Sequence, residues 1–219
     1  MSIPKIIHQT FKSKELPLLT RWHISRMLKR NPDYVYEFYD DDRIEEFLLK
    51  EFDQETFDAY KRLNIGAAKA DFFRYAVLYK KGGIYLDIDC HLKSKFADFL
   101  YPEDVAVLSP EKNPICYVQW AMFYAAGHPF LEKTMKLMLR NIQQNRFPND
   151  VHKMTGPTVY TEAIRECLAL DPQIPHRIFG TEYDHHLRDK YKLAKFVLYK
   201  DKSTHWKKLQ LHTTVLKVQ

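Results

Sequence analysis

Gly66 to His91 reads GAAKADFFRYAVLYKKGGIYLDIDCH. Ala68, Phe72, Tyr75 and Tyr79 recur at helical spacing, so Ala67 to Lys80 is expected to be a helix with that stripe against a core. Gly82-Gly83 ends it, and the apolar run from Ile84 to Asp89 resumes as a strand. A helix led through two glycines into a strand that ends in acids belongs to a layered α/β sheet. In open sheets of this kind, ligands gather at the carboxyl ends of the strands.

Two pairs of side chains in this stretch carry chemistry. Asp71 and Arg74 are three apart and so neighbour one another on a helix. They form either an ordinary surface ion pair, worth little, or a pair placed beside the end of the following strand. Asp87 and Asp89, at i and i+2, share one side of an extended strand and repel each other unless a cation sits with them. A hard divalent ion such as Mn²⁺ or Mg²⁺ suits two such oxygens and commonly bridges to substrate phosphates. Alone, the pattern Asp-x-Asp does not name a reaction. Phosphohydrolases of the haloacid-dehalogenase type also place it at a strand end, but with Thr or Val where this chain has His91. A non-catalytic metal- or nucleotide-binding protein is a further alternative.

Outward from this stretch, strands and helices continue to alternate. Ile3 to Thr10 and Tyr34 to Tyr39 read as strands, and Leu18 to Arg30 reads as a helix stopped by Asn31-Pro32. Asp40-Asp41-Asp42, ahead of Ile44, Phe47 and Leu48, has the composition of a helix N-terminus. A helix is expected from about Gln54 to Leu63. Downstream, strands are expected near Val105–Leu108, Gln119–Ala125, Arg177–Phe179 and Phe196–Tyr199, and helices over Pro129–Asn145 and Pro157–Leu170. The expected architecture is α/β, one mixed sheet flanked by helices in a single domain of 219 residues.

Composition bounds the function classes. The chain is 45% hydrophobic and 14% aromatic, enough for a real core. Cys90, Cys116 and Cys167 are an odd, widely spaced set that suits a reducing compartment. No apolar run of 18 residues and no basic-then-apolar leader is present, so a cytoplasmic enzyme is expected. The formal charge of +6 is concentrated at the end: His186 to Gln219 carries nine Lys or Arg against two Asp. That basic segment reads as a solvated face, as an attachment to an anionic membrane surface or lipid-phosphate acceptor, or as a nucleic-acid contact. No nucleic-acid-binding motif supports the last, so nucleic acid is not an expected partner.

IPKIIHQTF at the start, NPDYVYEFYDD, and AKADFFRYAVLYKKGGIYLDIDC together resemble the DXD-containing sugar transferases of glycosyltransferase family 32. That family includes fungal initiating α-1,6-mannosyltransferases and bacterial capsule and lipopolysaccharide enzymes. The resemblance is strong over residues 3 to 92 and continues through Gly127-His128-Pro129-Phe130, Gly156-Pro157 and His205-Trp206. It implies a GT-A fold, a UDP-sugar or GDP-sugar donor, Mn²⁺ or Mg²⁺, a glycan or lipid-linked acceptor, and transfer with retention of anomeric configuration. Residues 1–92 would then form the donor and metal half, and 93–219 the acceptor side with a closing element.

Residue by residue, the resemblance puts His8, Gln9 and Thr10 at the strand end that receives the base. Asp71 and Arg74 match an Asp-x-x-Arg that contacts donor sugar and diphosphate. Asp87 matches the first acid of the DXD motif, near ribose and sugar and the metal, and Asp89 matches the direct metal ligand. In the late element, Trp206 either returns over the donor or anchors the core of the last strand, and Asp201 or His205 would be an additional metal ligand. Departures fall at Phe11, where the opening motif ordinarily continues with Trp, and at His205, where the late motif has Ser. The adjacent pair His185-His186 reads as exposed or acceptor-facing.

Overall fold

The computed structural model describes residues 2–113, 115–198 and 209–217. In chain order the elements are β1 (Ile6–Thr10), α1 (Leu18–Arg30), β2 (Val35–Tyr39), α2 (Asp41–Glu51), α3 (Gln54–Arg62), α4 (Gly66–Lys81), β3 (Gly83–Leu86), β4 (His91–Leu92), β5 (Ala106–Leu108), β6 (Ala121–Tyr124), α5 (Pro129–Gln143), α6 (Val151–Met154), α7 (Pro157–Leu170), β7 (Arg177–Ile178), β8 (Leu187–Arg188) and α8 (Ala194–Leu198). Among the described residues one sheet has the order β2-β1-β3-β6-β5-β7, and β4 with β8 forms a small second one. β2, β1 and β3 run parallel, whereas β6 is antiparallel to both β3 and β5. The expected mixed sheet flanked by helices is therefore present.

Side-chain alternation along the strands divides the core. On one face Tyr85, Met122 and Tyr124 pack with α4, α5 and α7; on the other, Ile84, Leu86 and Phe123 pack with Met27 of α1 and with Phe96 and Phe99. The acids before α2 do cap it: Asp40 accepts from the Arg43 N–H at 3.0 Å. All three cysteines are free thiols.

α4 departs from an ordinary amphipathic helix. Eight consecutive residues, Asp71 to Leu78, are buried, which happens when a helix is covered by the sheet on one side and by other helices on the other. The reading of Asp71 and Arg74 as a surface ion pair is thereby closed. Two further expectations are corrected. The strand expected to run through Asp89 ends at Leu86, and Asp87 to Asp89 form a turn. Phe196–Tyr199, expected as a strand, lies in part in the short helix α8, which covers Phe196 to Leu198; its apolar run is too short for periodicity to separate strand from helix.

The turn between α4 and β3 has no room for side chains. Gly82 and Gly83 adopt φ of +64° and +101°, and a Cβ on Gly83 would stand 2.6 Å from the Ile6 carbonyl oxygen. Gly83→Ala should therefore destabilise the protein by at least about 2 kcal/mol, combining backbone strain with a backbone clash. Gly127, at φ +71° with nothing within 4 Å of where a Cβ would stand, is the control: its alanine variant should cost only about 1 kcal/mol. Urea unfolding of both variants checks this, and equal losses would show that crowding at Gly83 plays no part.

Candidate active site

The turn after β3 is held from three directions. The Asp87 N–H donates to the Trp120 carbonyl at 2.8 Å, the Cys90 N–H donates to the Asp87 carbonyl at 2.9 Å, and Gln9 Nε2 donates to that same carbonyl at 3.1 Å. Its side chains face a cavity of about 640 Å³, within the range of small-molecule sites.

Arg74 is the centre of the polar network. From the buried face of α4 its Nη2 donates to Asp87 Oδ1 at 3.0 Å and its Nη1 to the Gln119 carbonyl at 2.7 Å, while Nη2 stands 3.4 Å from Asp71 Oδ1. The guanidinium also lies 4.7 Å from the centre of the Tyr85 ring. Asp71 accepts from Gln119 Nε2 at 3.1 Å and from the Thr155 hydroxyl at 3.0 Å. Burial pushes the Asp71 carboxyl up to about 6, against the lowering effect of Arg74. Asp87 is more open, with 30% of its side chain exposed, and also accepts from the Tyr85 hydroxyl at 3.1 Å.

Asp89 is different. It is 3% exposed, and its Oδ2 has no hydrogen-bond partner among the described residues. Among the described residues, Lys190 Nζ is the cation beside it, 3.9 Å away and shared with Asp189. Burial, followed by repulsion from Asp87, raises the Asp89 carboxyl to about 7. A buried carboxylate oxygen that lacks a donor and borders a cavity fits a divalent cation, whose hard charge would satisfy it. Among the described residues no three His, Cys, Asp or Glu side chains converge as a complete ligand set, so the remaining ligands would come from a substrate, water or elsewhere in the chain.

Of the residues singled out in the sequence, Thr10, Asp71, Arg74, Asp87 and Asp89 line this cavity together. His8 and Gln9 are not among the lining residues. His8 is fully buried, its Nε2 is 3.0 Å from the Gly82 carbonyl, and burial lowers its pKa to about 4. Gln9 links Tyr36 to the turn at Asp87. Asp201, His205 and Trp206 lie outside the described residues. His185 is exposed, while His186 contacts the Ser94 hydroxyl and the Phe99 ring. Sequence reading missed Gln119, Thr155, Tyr85 and Lys190, none of which stands in a spacing that signals a site.

Two helices begin at the cavity. Gly66 and Ala67 of α4 and Gly156-Pro157 at the start of α7 line it, and neither helix has a side-chain cap. By contrast, α2, α3 and α6 are capped by Asp40, Asp53 and Asp150. Uncapped N–H groups at such ends favour an anion.

Comparison with known proteins gives the family and the fold. Residues 20–107 match the family of glycosyltransferase sugar-binding regions containing a DXD motif. An uncharacterized glycosyltransferase of Acanthamoeba polyphaga mimivirus is 32% identical over 84% of this chain and 73% of its own. Inositol phosphoceramide mannosyltransferase 3 of Schizosaccharomyces pombe is 35% identical over 71% of this chain; the match spans only 43% of that protein's length. Among solved structures, the PaToxG glycosyltransferase superposes with a TM-score of 0.61 at 24% identity, covering 79% of this chain and 72% of that one. The mixed sheet and its helices thus have the GT-A architecture expected from the sequence.

The poorly compensated charge of Asp89 has a pH signature. Its folded pKa, about 7, stands above the ordinary 3.8, so the metal-free protein takes up a proton on folding between these values. The cost of Asp89 is absent below about pH 4, grows as pH rises, and is complete above about 7. In chelator, Asp89→Asn should gain roughly 2–4 kcal/mol of stability at pH 8 relative to its effect at pH 4. Calorimetry at the two pH values measures this, and a pH-independent difference would mean that a cation of the folded chain already compensates the ionised Asp89.

Proposed function

Because the chain belongs to the family of glycosyltransferases whose sugar-binding region contains a DXD motif, we propose that it transfers a hexose from a nucleoside-diphosphate sugar to a hydroxyl of a glycan or lipid-linked acceptor, with retention of configuration. Family membership sets aside the phosphohydrolase and the non-catalytic binder. The observation that carries the reading is the juxtaposition, in one cavity, of an unsatisfied Asp89 carboxylate, the Arg74–Asp71–Asp87 network and two uncapped helix ends. A diphosphate bridged to a divalent cation is the ligand that this set of charges suits.

Mn²⁺ or Mg²⁺ would be held by Asp89 and Asp87, with Asp201 or His205 as an additional ligand, and would supply Lewis-acid stabilisation of the departing diphosphate. The protein's own groups do the rest. Arg74 and the N–H groups at the starts of α4 and α7 offset charge that gathers as the glycosidic bond breaks. Asp71, held by Thr155 and Gln119, accepts from sugar hydroxyls and fixes the anomeric carbon against the acceptor. The wall at Thr10 takes the base, shaped from behind by His8 and Gln9; Trp206, outside the described residues, is the further donor contact that the resemblance assigns. In this assignment residues 1–92 carry most of the donor side and 93–219 the acceptor side. The name of the fission-yeast relative supports mannose as the first hexose to examine and a phospholipid-like acceptor, in the synthesis of a surface glycan or glycolipid.

The test is nucleotide release across UDP- and GDP-sugars with Mn²⁺. EDTA should abolish it and Mn²⁺ restore it, since bare carboxylates repel a diphosphate; full activity in chelator would overturn the metal assignment. The two acids should also separate. Asp89→Asn should weaken Mn²⁺ and donor binding together, whereas Asp87→Asn should keep more of the metal affinity and lose chiefly turnover. Wild-type binding and turnover in both variants would place the centre elsewhere.

A further inference from the structure

Helix α1 presents an outward stripe that nothing in the described protein covers. Leu18 is 80% and Trp22 52% exposed, and Lys29 continues the stripe at helical spacing. Its inner side holds it in place: Thr20 shares a hydrogen bond of 2.7 Å with the Tyr191 hydroxyl, and the His23 ring stacks on Tyr191 at 4.2 Å. Tyr191 leads into α8, where Ala194 and Leu198 face inward with Leu19 and Ile24. That leaves Leu193 61% and Phe196 73% exposed on the adjoining segment. Large apolar side chains displayed this fully, from two elements locked together, mark an interaction surface.

Its charge says what it meets. α1 contains four Arg or Lys residues and no acid. Arg21, Lys29, Lys192 and Lys195 have no acidic partner among the described residues, and Arg26 instead lies over the Trp22 ring at 5.3 Å. Trp, Phe and Leu anchors set among unpaired cations are the composition of segments that lie in a membrane interface. The same surface borders the donor cavity, because Phe11 and Leu198 belong both to the cluster beneath it and to the cavity wall. No helix among the described residues is long and apolar enough to cross a membrane, so attachment by a face is a separate device.

We propose that the α1–α8 face docks on an anionic phospholipid surface through Leu18, Trp22, Leu193 and Phe196, with Arg21, Lys29, Lys192 and Lys195 contacting head groups. It turns the cavity towards a membrane-borne acceptor. This purpose rests on the transferase reading; the docking itself does not. Lys192 and Lys195 belong to the basic segment from His186 to Gln219, for which a membrane surface is one of the readings from sequence; here they flank a face built around apolar anchors.

The test is co-sedimentation of the full chain with phosphatidylcholine vesicles, with and without an anionic phospholipid, at low and high salt. Binding should require the anionic lipid and weaken with salt. Trp22→Ser with Phe196→Ser should weaken it at least roughly tenfold, by removing interfacial anchors. Arg21→Gln, Lys29→Gln and Lys195→Gln together should weaken it on the order of a hundredfold, at about fivefold per charge. Nucleotide-sugar hydrolysis without acceptor should stay at the wild-type level in both variants, which also reports that they fold. Equal binding to neutral vesicles, no binding to anionic ones, or anionic binding that survives both sets of substitutions would each overturn the proposal. If wild type binds as described but turns over no donor, the docking stands and the transferase reading fails.

Discussion

A guanidinium buried inside the protein organises this molecule. Arg74 cannot shed its charge, and at 5% exposure water does not solvate it, so it must be met by fixed groups or the fold loses several kcal/mol. Those groups come from three places: its own helix supplies Asp71, the turn after β3 supplies Asp87, and the segment before β6 supplies the Gln119 carbonyl. Satisfying one cation therefore sets the relative position of α4, β3 and β6. The same arrangement concentrates negative charge, for Asp71 and Asp87 share the one guanidinium and Asp89 stands beside the Lys190 ammonium. Protons are held more tightly on Asp71 and Asp89 as a result of burial and of this crowding.

The mixed direction of the sheet explains how the distant partners arrive. In the parallel half, β1 and β3 both end at the cavity edge, which brings Thr10 beside the turn at Asp87. β6 runs the other way, pairing Ala121 with Leu86. The residues that enter β6, Gln119 and Trp120, consequently land next to the residues that leave β3. An all-parallel sheet would have carried them to the opposite edge, and Arg74 would lack its carbonyl partner.

What could be read from the sequence follows from these same distances. Asp71 with Arg74 and Asp87 with Asp89 are local pairs, so spacing alone brings them out, and the Gly82-Gly83 stop fixes that helix and strand meet there. Burial was not legible: a helix with both faces covered loses its polar stripe, and Asp71 and Arg74 read equally well as surface groups. Gln119 and Thr155 reach Asp71 from 48 and 84 residues away and carry no periodic signal. His8 was read for its position at the end of an apolar strand; that position is also where a neutral imidazole can bond to the Gly82 carbonyl, and sequence does not separate the two. The acids themselves were expected on a strand, yet a turn presents them, because the ladder to β6 passes its last bond at the Asp87 N–H.

That turn is why two neighbouring carboxylates have unlike surroundings. On a strand, i and i+2 side chains share one environment. Here the bend leaves Asp87 with donors from Arg74 and Tyr85, while Asp89 turns inward with no donor to its Oδ2 among the described residues, and its carbonyl accepts from the Tyr191 N–H at 2.8 Å. Asp87 thus has a cation and a hydroxyl in hydrogen-bond contact, and Asp89 has only the more distant Lys190. A cation arriving in the cavity gains more from Asp89, whose carboxylate has given up water and received little in exchange, than from Asp87, whose charge is already engaged. Lys190 offsets part of that deficit, but at 3.9 Å and divided with Asp189 it leaves Asp89 Oδ2 without a hydrogen bond among the described residues. The asymmetry is built by backbone geometry before any ligand is present, and on the proposed reading it gives the second acid of the motif the stronger claim on an incoming ion.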